Sequence, residues 1–278
     1  MPELPEVETI RRALIKNILH KKIKDVEIFS PKQFHGDITR VGGAKITGLR
    51  RKGKVLYLEL ANGLYLNFHL KMSGELLFGK KRNVTLKEYL PRTGTKSLPN
   101  KHTRIILNFD DGSALFFNDL RLFGWIKLTN KPAVPGGVDV LSKEFTAPYL
   151  LTVGRSTTRP IKILLMDQEK IAGIGNIYAN DSLWEAKINP LRKAKTLTEV
   201  EINNLYKAIK KIIAEAIKYK GSSAQDEMYV MPDGQKGKYQ NHFRVYHRTG
   251  KPCFRDKKII VAIRMSGRGT FYCPTCQI

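Results

Sequence analysis

The stretch Leu64-Tyr65-Leu66-Asn67-Phe68-His69 decides the fold, because apolar side chains alternate along it with polar or amphipathic ones. Successive side chains of a strand point to opposite faces, so its three apolar residues share one face. Turn sequences such as Ala61-Asn62-Gly63 and Asp110-Asp111-Gly112 separate short stretches of this kind from about residue 22 to 130. Many short strands joined by tight turns predict an antiparallel sandwich or barrel.

The residues before this strand-rich region have helical spacing instead. Val7, Ile10, Leu14 and Ile18 recur every three or four positions, and Pro5 stands where a first helical turn tolerates proline. This pattern predicts one amphipathic helix of about four turns.

The residues after about 145 return to helical spacing. Thr198 and Glu201 have the spacing of a capping box, and Gly221 is a natural stop for the helix that they open. The apolar series of that helix is Val200, Leu205, Ile209, Ile212, Ile213 and Ala216. Residues 80–102 are basic and rich in Gly, Pro and Thr, which predicts a loop. The expected fold class is α+β: an N-terminal helix with an antiparallel β-sandwich, a helical region, and a β-hairpin tail that carries the cysteines.

Charge is the strongest signal in the composition. The chain has 49 Lys and Arg against 25 Asp and Glu, a net charge of +24. Such an excess favours a polyanionic partner through phosphate contacts and counterion release. Nucleic acid is therefore the expected partner, although charge does not separate a binding protein from an enzyme. A lysine-rich surface, or association with the ribosome, would give the same composition.

The expected location is the cytoplasm. The chain contains no run of eighteen uncharged apolar residues, so no contact with a membrane is expected. Its start, Met1-Pro2-Glu3-Leu4-Pro5-Glu6, is acidic and contains proline, the reverse of a secretory signal. All three cysteines fall in the last 26 residues, which suggests a metal site.

The amino terminus offers a nucleophile. Removal of Met1 would leave Pro2 as a secondary amine, and attack of such an amine on a sugar C1′ gives an iminium ion without prior protonation. That cation acidifies the C2′ hydrogen, so a phosphate can leave by elimination. Glu3 stands beside the amine, where a carboxyl group could protonate the ring oxygen. An ordinary helix start, which favours proline and glutamate in its first turn, explains the dipeptide equally well.

The longer string Pro2-Glu3-Leu4-Pro5-Glu6-Val7-Glu8-Thr9 closely resembles the opening of the formamidopyrimidine-DNA glycosylases, bacterial enzymes that remove oxidised purines. Sister enzymes for oxidised pyrimidines usually have Gly in place of Leu4. The string Arg50-Arg51-Lys52-Gly53-Lys54 precedes a strand, as in that family, and Lys54 matches its catalytic lysine. The resemblance implies that Pro2, Glu3 and Lys54 are catalytic.

Two further strings are similar to loops of that family that enter DNA. His69-Leu70-Lys71-Met72-Ser73-Gly74 resembles the minor-groove loop, whose Met72 would fill the space of an extruded base. Asn118-Asp119-Leu120-Arg121-Leu122-Phe123-Gly124-Trp125 resembles the second loop, with Arg121 for the orphaned cytosine and Phe123 as a wedge between base pairs. Apolar wedges replace part of the stacking that base extrusion costs. His69 is carried over as a DNA-binding residue with them.

Ile171-Ala172-Gly173-Ile174-Gly175-Asn176-Ile177-Tyr178 resembles the helix–two-turn–helix element of the family. Its glycines would let backbone amides approach a DNA phosphate, and Asn176 is expected to cap the next helix and to donate to the same phosphate. Lys162 is expected either to contact phosphate or to be a solvated helix lysine. Arg268, in Gly267-Arg268-Gly269-Thr270, matches the arginine of the family's hairpin tip and would anchor the phosphate beside the lesion.

The carboxyl terminus resembles the zinc ribbon of the family, Cys-x2-Cys-x16-Cys-x2-Cys, with one departure. Cys253, Cys273 and Cys276 occupy three ligand positions, and Asp256 occupies the second. Asp can bind zinc through oxygen, less tightly than thiolate. One structural zinc ion is the expected cofactor. A metal-free ribbon and recruitment of the nearby His247 are the alternatives.

The resemblance covers essentially all 278 residues and implies three domains. These are a catalytic helix and sandwich over 1–135, a helix–two-turn–helix domain with a lesion-recognition loop over 145–240, and a zinc-finger-like hairpin over 241–278. It implies a monomeric DNA glycosylase and AP lyase that acts on oxidised purines in double-stranded DNA and cuts by β,δ-elimination. It also implies a bacterial cytoplasmic protein that is associated with the nucleoid through DNA binding. The alternatives are an endonuclease VIII-like enzyme for oxidised pyrimidines and a noncatalytic zinc-ribbon DNA-binding protein.

Overall fold

The computed structural model describes residues 1–87, 95–223 and 229–278. They form two compact units: unit 1 is Met1–Val134 with Tyr219–Gln240, and unit 2 is Pro135–Lys218 with Asn241–Ile278. The sequence prediction instead counted the residues up to 240 with the helical domain. The grouping differs because the backbone N–H of Ser222 donates to the Glu6 carboxylate of the first helix. The three-domain division itself stays a prediction.

Among its described residues, unit 1 contains one α-helix and eleven strands. The helix is α1 (Leu4–Ile18). The strands are β1 (Ile23–Ile28), β2 (Phe34–His35), β3 (Ile46–Lys52), β4 (Val55–Leu60), β5 (Tyr65–His69), β6 (Gly74–Gly79), β7 (Val84–Thr85), β8 (Ser97–Leu98), β9 (Thr103–Phe109), β10 (Ala114–Asp119) and β11 (Trp125–Thr129).

The strands of unit 1 form the predicted sandwich. One sheet has the order β1-β9-β10-β6 and the other β2-β11-β5-β4-β3, and all pairs are antiparallel except the short pair β2 and β11. Apolar residues of both sheets share one buried cluster with α1, which burial of their apolar surface stabilises. The four apolar residues predicted on one face of α1 are at most 1% exposed, so that prediction is confirmed.

The predicted turns of the sandwich are also confirmed. Gly63 joins β4 to β5 at φ 79° and Gly112 joins β9 to β10 at φ 81°, conformations that glycine adopts without a Cβ penalty. The region 80–102 is not wholly a loop, because β7 and β8 pair there and Leu86 and Leu98 pack on the outer face of the first sheet. Residues 88–94 of that region lie outside the described residues.

Unit 2 contains four α-helices and four strands among its described residues. The helices are α2 (Ala147–Arg155), α3 (Ile161–Leu165), α4 (Asn176–Glu185) and α5 (Glu199–Lys218). The strands are β12 (Val138–Asp139), β13 (Ile171–Ala172), β14 (Val261–Met265) and β15 (Arg268–Tyr272). The two strands of the tail form the predicted hairpin.

The long helix α5 confirms the predicted capping box and corrects one apolar position. Thr198 Oγ1 accepts from the N–H of Glu201, whose carboxylate accepts from the N–H of Thr198 at 2.7 Å. Val200, however, is 71% exposed, and Ile202 is buried instead. Val200 and Ile202 are two residues apart, and two residues turn a helix by about 200°. Because Ile202 lies on the buried face, Val200 points away from it.

Within the described part of the chain, none of the helices combines the length and apolar character that crossing a membrane requires.

Candidate functional site

One end of the sandwich collects several of the predicted site residues of unit 1. Gly53 and Lys54 form the turn that enters β4, and Val55 pairs with His69, the last residue of β5. His69 also pairs with Trp125, the first residue of β11. The antiparallel register therefore places the Lys54 turn, the loop after His69 and the loop before Trp125 at the same edge.

The same end is where the chain crosses between the two sheets. Residues 70–73 lead from β5 to β6, and residues 120–124 lead from β10 to β11. Gly74, which opens β6, pairs with Asp119, which ends β10. We call these two connections the first and the second wedge loop.

The amino-terminal residues are buried at the start of α1. Pro2 is buried and Glu3 is only 2% exposed. The Glu6 carboxylate accepts from the N–H of Glu3 and from the N–H of Ser222, both at 2.8 Å. Gly221 has φ 76°, and a Cβ there would lie 2.7 Å from Glu6, so this close approach needs glycine. Glu6 thus holds the chain start and the segment after Gly221 in fixed relation.

An ion pair ties α1 to the turn that carries Lys54. Arg51, buried at the end of β3, lies 3.3 Å from the Glu8 carboxylate and donates to the carbonyl of Gly53. Burial opposes ionisation of Glu8, but hydrogen bonds with Arg11 and Arg12 and the charge of Arg51 outweigh it and lower its pKa to about 2. Glu8 is consequently a carboxylate at neutral pH. Lys54, 7% exposed, thereby has a fixed backbone position relative to α1.

His69 is a neutral imidazole in this setting. Burial, with the charges of Lys71 and Lys54, lowers its pKa to about 3. Its Nδ1 accepts from the N–H of Lys71 at 3.0 Å, so the neutral ring carries its proton on Nε2. His69 is therefore suited to donate a hydrogen bond and adds no charge to the site.

The two wedge loops present their side chains differently. Phe123 is 58% exposed and Leu122 is 53% exposed, far more than apolar side chains of the core. The guanidinium of Arg121 lies 5.8 Å from the centre of the Phe123 ring. Met72, on the first wedge loop, is half-buried. An exposed arginine and aromatic pair at a loop tip suits insertion into a partner better than packing of the fold.

The residue before each wedge side chain has a left-handed backbone. Lys71, before Met72, has φ 51°, and Leu122, before Phe123, has φ 60°. This conformation is strained for residues with a Cβ and persists where surrounding contacts hold it. In each loop this conformation sets the direction of the side chain that follows, Met72 in the first and Phe123 in the second.

Asp119 is a site residue that sequence reasoning missed. It is fully buried, and its carboxylate accepts from Ser73 Oγ at 2.5 Å and from the N–H groups of Arg121 and Gly124 at 3.2 and 2.7 Å. Gln33 Nε2 donates to it as well, at 2.8 Å. Asp119 stood inside a quoted motif, but two of its partners, Ser73 and Gln33, lie 46 and 86 residues away in the chain.

Glu75, directly after the first wedge loop, carries a prediction about stability. Burial raises its pKa to about 8, the charge of Asp119 adds to this, and the side chain of Asn118 opposes it. The folded state thus holds a proton that the unfolded state releases above about pH 4.5. Stability from this group is full below pH 4.5 and is lost as the pH rises through 8.

Replacement by Gln should remove that loss. The free energy of unfolding of Glu75→Gln minus that of wild type should increase by about 2–4 kcal/mol when the pH is raised from 5 to 8.5. Urea unfolding of both proteins at the two pH values measures it. Glu27→Gln is the control, because Arg82 lowers the pKa of that carboxyl and its ionisation does not change in this range. An equal difference at both pH values would refute the prediction.

In unit 2, the glycine-rich turn leads into α4 with one difference from prediction. The helix begins at Asn176, and the extended residue before it, Gly175, is the N-cap. Asn176 is thus the first helical residue and not the cap. Gln168 supports the turn, because it accepts from the N–H of Gly173 and donates to the carbonyl of Ile174. Asn176 is half-buried at a helix N-terminus, where backbone dipoles favour anions.

Lys162 is not the solvated lysine that one expectation described. It is fully buried, and its ammonium donates to the carbonyl of Gly269 at 2.8 Å and to Thr270 Oγ1 at 2.7 Å. A buried ammonium needs such acceptors. Asn180, also missed from sequence, accepts from the N–H of Phe271 at 2.8 Å. Helices α3 and α4 therefore hold the strand that begins with Arg268. A phosphate contact of Lys162 stays a prediction.

Arg268 follows a tight turn at the end of the hairpin. Ser266 and Gly267 have φ 47° and 75°, the pattern of a two-residue turn that matches the strand twist. Met265 pairs with Arg268, which is exposed. The hairpin thus presents an arginine at its tip.

The four predicted metal ligands converge in unit 2. The ligand atoms of Cys253, Asp256, Cys273 and Cys276 all lie within 4.8 Å of one another. The sulfurs of Cys253 and Cys276 are 3.8 Å apart, and Asp256 oxygens lie 3.3 and 3.4 Å from Cys273 Sγ. Ligands of tetrahedral zinc lie about 3.8 Å apart when both are sulfur, and slightly closer when one is oxygen. The donor set therefore fits one zinc ion.

Hydrogen bonds to Cys253 favour a thiolate. Burial raises its pKa, but the N–H groups of Arg255 and Asp256 and the indole of Trp184 outweigh that effect, so the pKa lies below its ordinary value. The indole nitrogen is 3.3 Å from the sulfur. His247, the alternative ligand, stacks on Tyr246 with ring centres 4.3 Å apart and is not part of the cluster found among the described residues.

Known proteins resemble the chain over its whole length. Family models match at residues 1–126 (formamidopyrimidine-DNA glycosylase N-terminal domain), 137–228 (H2TH domain of the same family) and 250–278 (zinc finger found in FPG and IleRS). The formamidopyrimidine-DNA glycosylase of Carboxydothermus hydrogenoformans is 40% identical over 100% of both chains. That of Listeria monocytogenes is 37% identical over the same share.

Solved structures agree with the sequence matches. The MutM (Fpg) protein of Thermus thermophilus has a TM-score of 0.86 and 34% identity, covering 99% of this chain and 98% of that one. The Fpg of Lactococcus lactis in complex with DNA containing an abasic site has a TM-score of 0.83 and 33% identity, covering 100% of both. This chain belongs to the formamidopyrimidine-DNA glycosylase family.

Proposed function

We propose that the chain is a bifunctional DNA glycosylase and AP lyase of base excision repair that removes oxidised purines. The end-to-end match to the glycosylase family carries the proposal. The Pro2-Glu3 sequence supports it, because it supplies an amine beside a carboxyl group. Related structures contain DNA with Fapy-dG, an abasic site or an oxidised pyrimidine. For this chain, we propose double-stranded DNA with 8-oxoguanine or a formamidopyrimidine as the substrate.

The first step is displacement of the damaged base. After Met1 has been removed, the lone pair of the Pro2 nitrogen forms a bond to C1′ of the sugar. The glycosidic bond breaks, and the base leaves with the bonding electrons and takes up a proton. Glu3, beside the amine, is placed to protonate the ring oxygen, so that the sugar opens to an iminium ion.

Strand cleavage follows because the positive charge of the iminium ion makes the C2′ hydrogen acidic. Loss of the C2′ proton expels the 3′ phosphate, and a second elimination expels the 5′ phosphate. Hydrolysis of the remaining Pro2 adduct releases the enzyme. The products are a one-nucleotide gap with phosphates at both ends. To Lys54, on the turn tied to α1 through Arg51 and Glu8, we assign the stabilisation of phosphate charge or the transfer of a proton.

The wedge residues account for access to the base. A base inside the duplex must leave the stack before an amine can reach its sugar. We assign Met72 to the vacated space, Arg121 to the orphaned base and Phe123 to the step between base pairs. His69, neutral at physiological pH because its pKa is about 3, contributes a hydrogen-bond donor to the DNA.

Unit 2 is assigned to the phosphate backbone. We propose that the amides of the turn before α4, together with Asn176 and Arg268, bind phosphate, and that Lys162 supports Arg268 through the hairpin. One zinc ion on Cys253, Asp256, Cys273 and Cys276 would have a structural role and would fix the hairpin. The protein is proposed to act as a monomer.

Covalent trapping tests the proposal. Borohydride reduces an iminium between Pro2 and C1′ to a stable amine, so wild-type protein should form an adduct with duplexes that contain 8-oxoguanine or Fapy-dG opposite cytosine. Gel analysis without borohydride should show phosphates on both sides of the gap. Duplexes with oxidised pyrimidines, run in parallel, test the endonuclease VIII-like alternative, and undamaged duplex is the control.

Absence of an adduct with every lesion would exclude the lyase and favour a noncatalytic DNA-binding protein. Faster trapping on the pyrimidine lesions than on both purine lesions would overturn the assigned substrate class.

A further inference from the structure

We propose that Asp119 is a positioning residue that couples the two wedge loops, so that they enter DNA as one unit and share one specificity for the orphaned base. The proposal rests on the glycosylase function proposed above. It adds a residue that has no contact with the lesion and acts through Ser73, Arg121 and Gly124.

The first observation is the number of donors on one buried carboxylate. Asp119 Oδ1 accepts from Ser73 Oγ and from the N–H of Arg121, and Oδ2 accepts from the N–H of Gly124 and from Gln33 Nε2. A fully buried carboxylate requires such compensation. Each oxygen therefore accepts from two donors. If an N–H group replaced either oxygen, it would face those donors and have no acceptor.

The second observation is that these donors belong to both loops. Ser73 closes the first wedge loop, while Arg121 and Gly124 lie in the second. Ser73 Oγ also accepts from the N–H of Arg121 at 2.9 Å, so the hydroxyl bridges the loops. This hydroxyl donates to Asp119 and accepts from Arg121, which fixes its orientation.

The third observation is the strain that these contacts hold. Lys71 and Leu122 keep left-handed backbones immediately before Met72 and Phe123. In the second loop, the bonds of Asp119 to Arg121 and Gly124 flank Leu122 on both sides. Without them, the loop can relax to a more favourable backbone, which would turn Phe123 and the Arg121 guanidinium away from their shared direction.

Close packing leaves the loops no alternative spacing. A Cβ on Gly74 would lie 2.5 Å from the carbonyl oxygen of Leu70, and one on Gly124 would lie 3.0 Å from Asp119 Oδ2 and 2.7 Å from the Phe117 ring. Gly74 thus lies against the backbone of its own loop, and Gly124 lies against Asp119, as closely as glycine permits. Close packing on Asp119 therefore holds the second loop at Gly124, and the hydrogen bond from Ser73 ties the first loop to the same carboxylate.

Two substitutions test the coupling. Asp119→Asn puts an amide N–H against donors, and Ser73→Ala removes the bridge while it leaves the bonds of Asp119 to the second loop. Single-turnover excision of 8-oxoguanine opposite cytosine should slow by about 10- to 100-fold in both variants. Cleavage of a preformed abasic site in the same duplex should change by less than about threefold, because no base then has to be extruded.

Orphan-base discrimination provides the readout that a merely structural role would not change. The ratio of excision rates opposite cytosine and opposite adenine should fall in both variants, because Arg121 no longer has a fixed direction. Ser113→Ala is the matched control: it removes a buried serine hydroxyl of the same sandwich, bonded to Asp111 at a hairpin turn. It should leave the ratio at the wild-type value.

Thermal melting separates folding from coupling. If Asp119→Asn does not fold, Ser73→Ala decides the test alone. A parallel loss of excision and abasic-site cleavage, or an unchanged base ratio in Ser73→Ala, would overturn the coupling. Wild-type protein that cuts neither substrate would instead overturn the proposed function, and this inference with it.

Discussion

Pro2→Gln should abolish both base excision and covalent trapping, with single-turnover rates at least about a thousandfold below wild type. Initiator methionine is removed only before small residues, so the large side chain keeps Met1 in place and the chain then starts with a primary amine one residue too far from Glu3. The buried start of α1, where Glu6 fixes the N–H of Glu3, leaves little room for an extended terminus to adjust. Mass spectrometry of the purified variant and borohydride trapping measure the two expectations.

Pro2→Gly is the matched comparison. Glycine permits removal of Met1 and leaves a primary amine at the same position, which can still form an imine but must be protonated to act as an electron sink. We expect it to form a detectable adduct at a reduced rate. Full activity in Pro2→Gln with Met1 shown to be present would contradict the assignment of the nucleophile.

Loss of a zinc ligand should have the second-largest effect. Cys273→Ala removes a buried thiol from the cluster, and we expect it to purify with less than one tenth of the wild-type zinc. Since the hairpin carries Arg268, affinity for lesion DNA should fall by about 100-fold, or about 2.7 kcal/mol. Atomic emission of the purified protein and fluorescence anisotropy with an 8-oxoguanine duplex measure the two quantities.

Asp256, which stands where the zinc ribbon of the family has a cysteine, allows a second test. Asp256→Cys restores four thiolates, so the variant should retain zinc at a chelator concentration about tenfold higher than wild type tolerates. Phe254→Ala is the control, because its ring is 56% exposed in the same ribbon and offers no ligand atom. Wild-type protein without zinc, with Cys273→Ala unchanged in DNA affinity, would favour a metal-free ribbon.

Local patterns predicted the parts of the fold that local physics decides. The apolar face of α1, the glycine turns at Gly63 and Gly112, and the capping box at Thr198 each depend on residues within a few positions of one another. Val200 was assigned wrongly because apolar character alone does not give its angle on the helix. Asn176 was expected as a cap, whereas the extended backbone of Gly175 takes that position.

The contacts that organise the site were not predictable in the same way. Ser73 and Asp119 are 46 residues apart, and Asn180 and Phe271 are 91 residues apart. The local sequence around each residue therefore does not indicate that the two form a hydrogen bond. The antiparallel register that brings Lys54, His69 and Trp125 to one edge is likewise a product of strand order. The family resemblance identified residues of the site, and the strand order explains why they lie close together.

The buried ammonium of Lys162 allows chemical labelling to report how firmly the hairpin packs on α3. An amine with no exposed surface, bonded to Gly269 and Thr270, is shielded from acylating reagents that reach the exposed lysines of the chain. Its acylation requires the hairpin to detach from α3, so the rate at which the peptide containing Lys162 gains label reports how often the arginine tip lifts away.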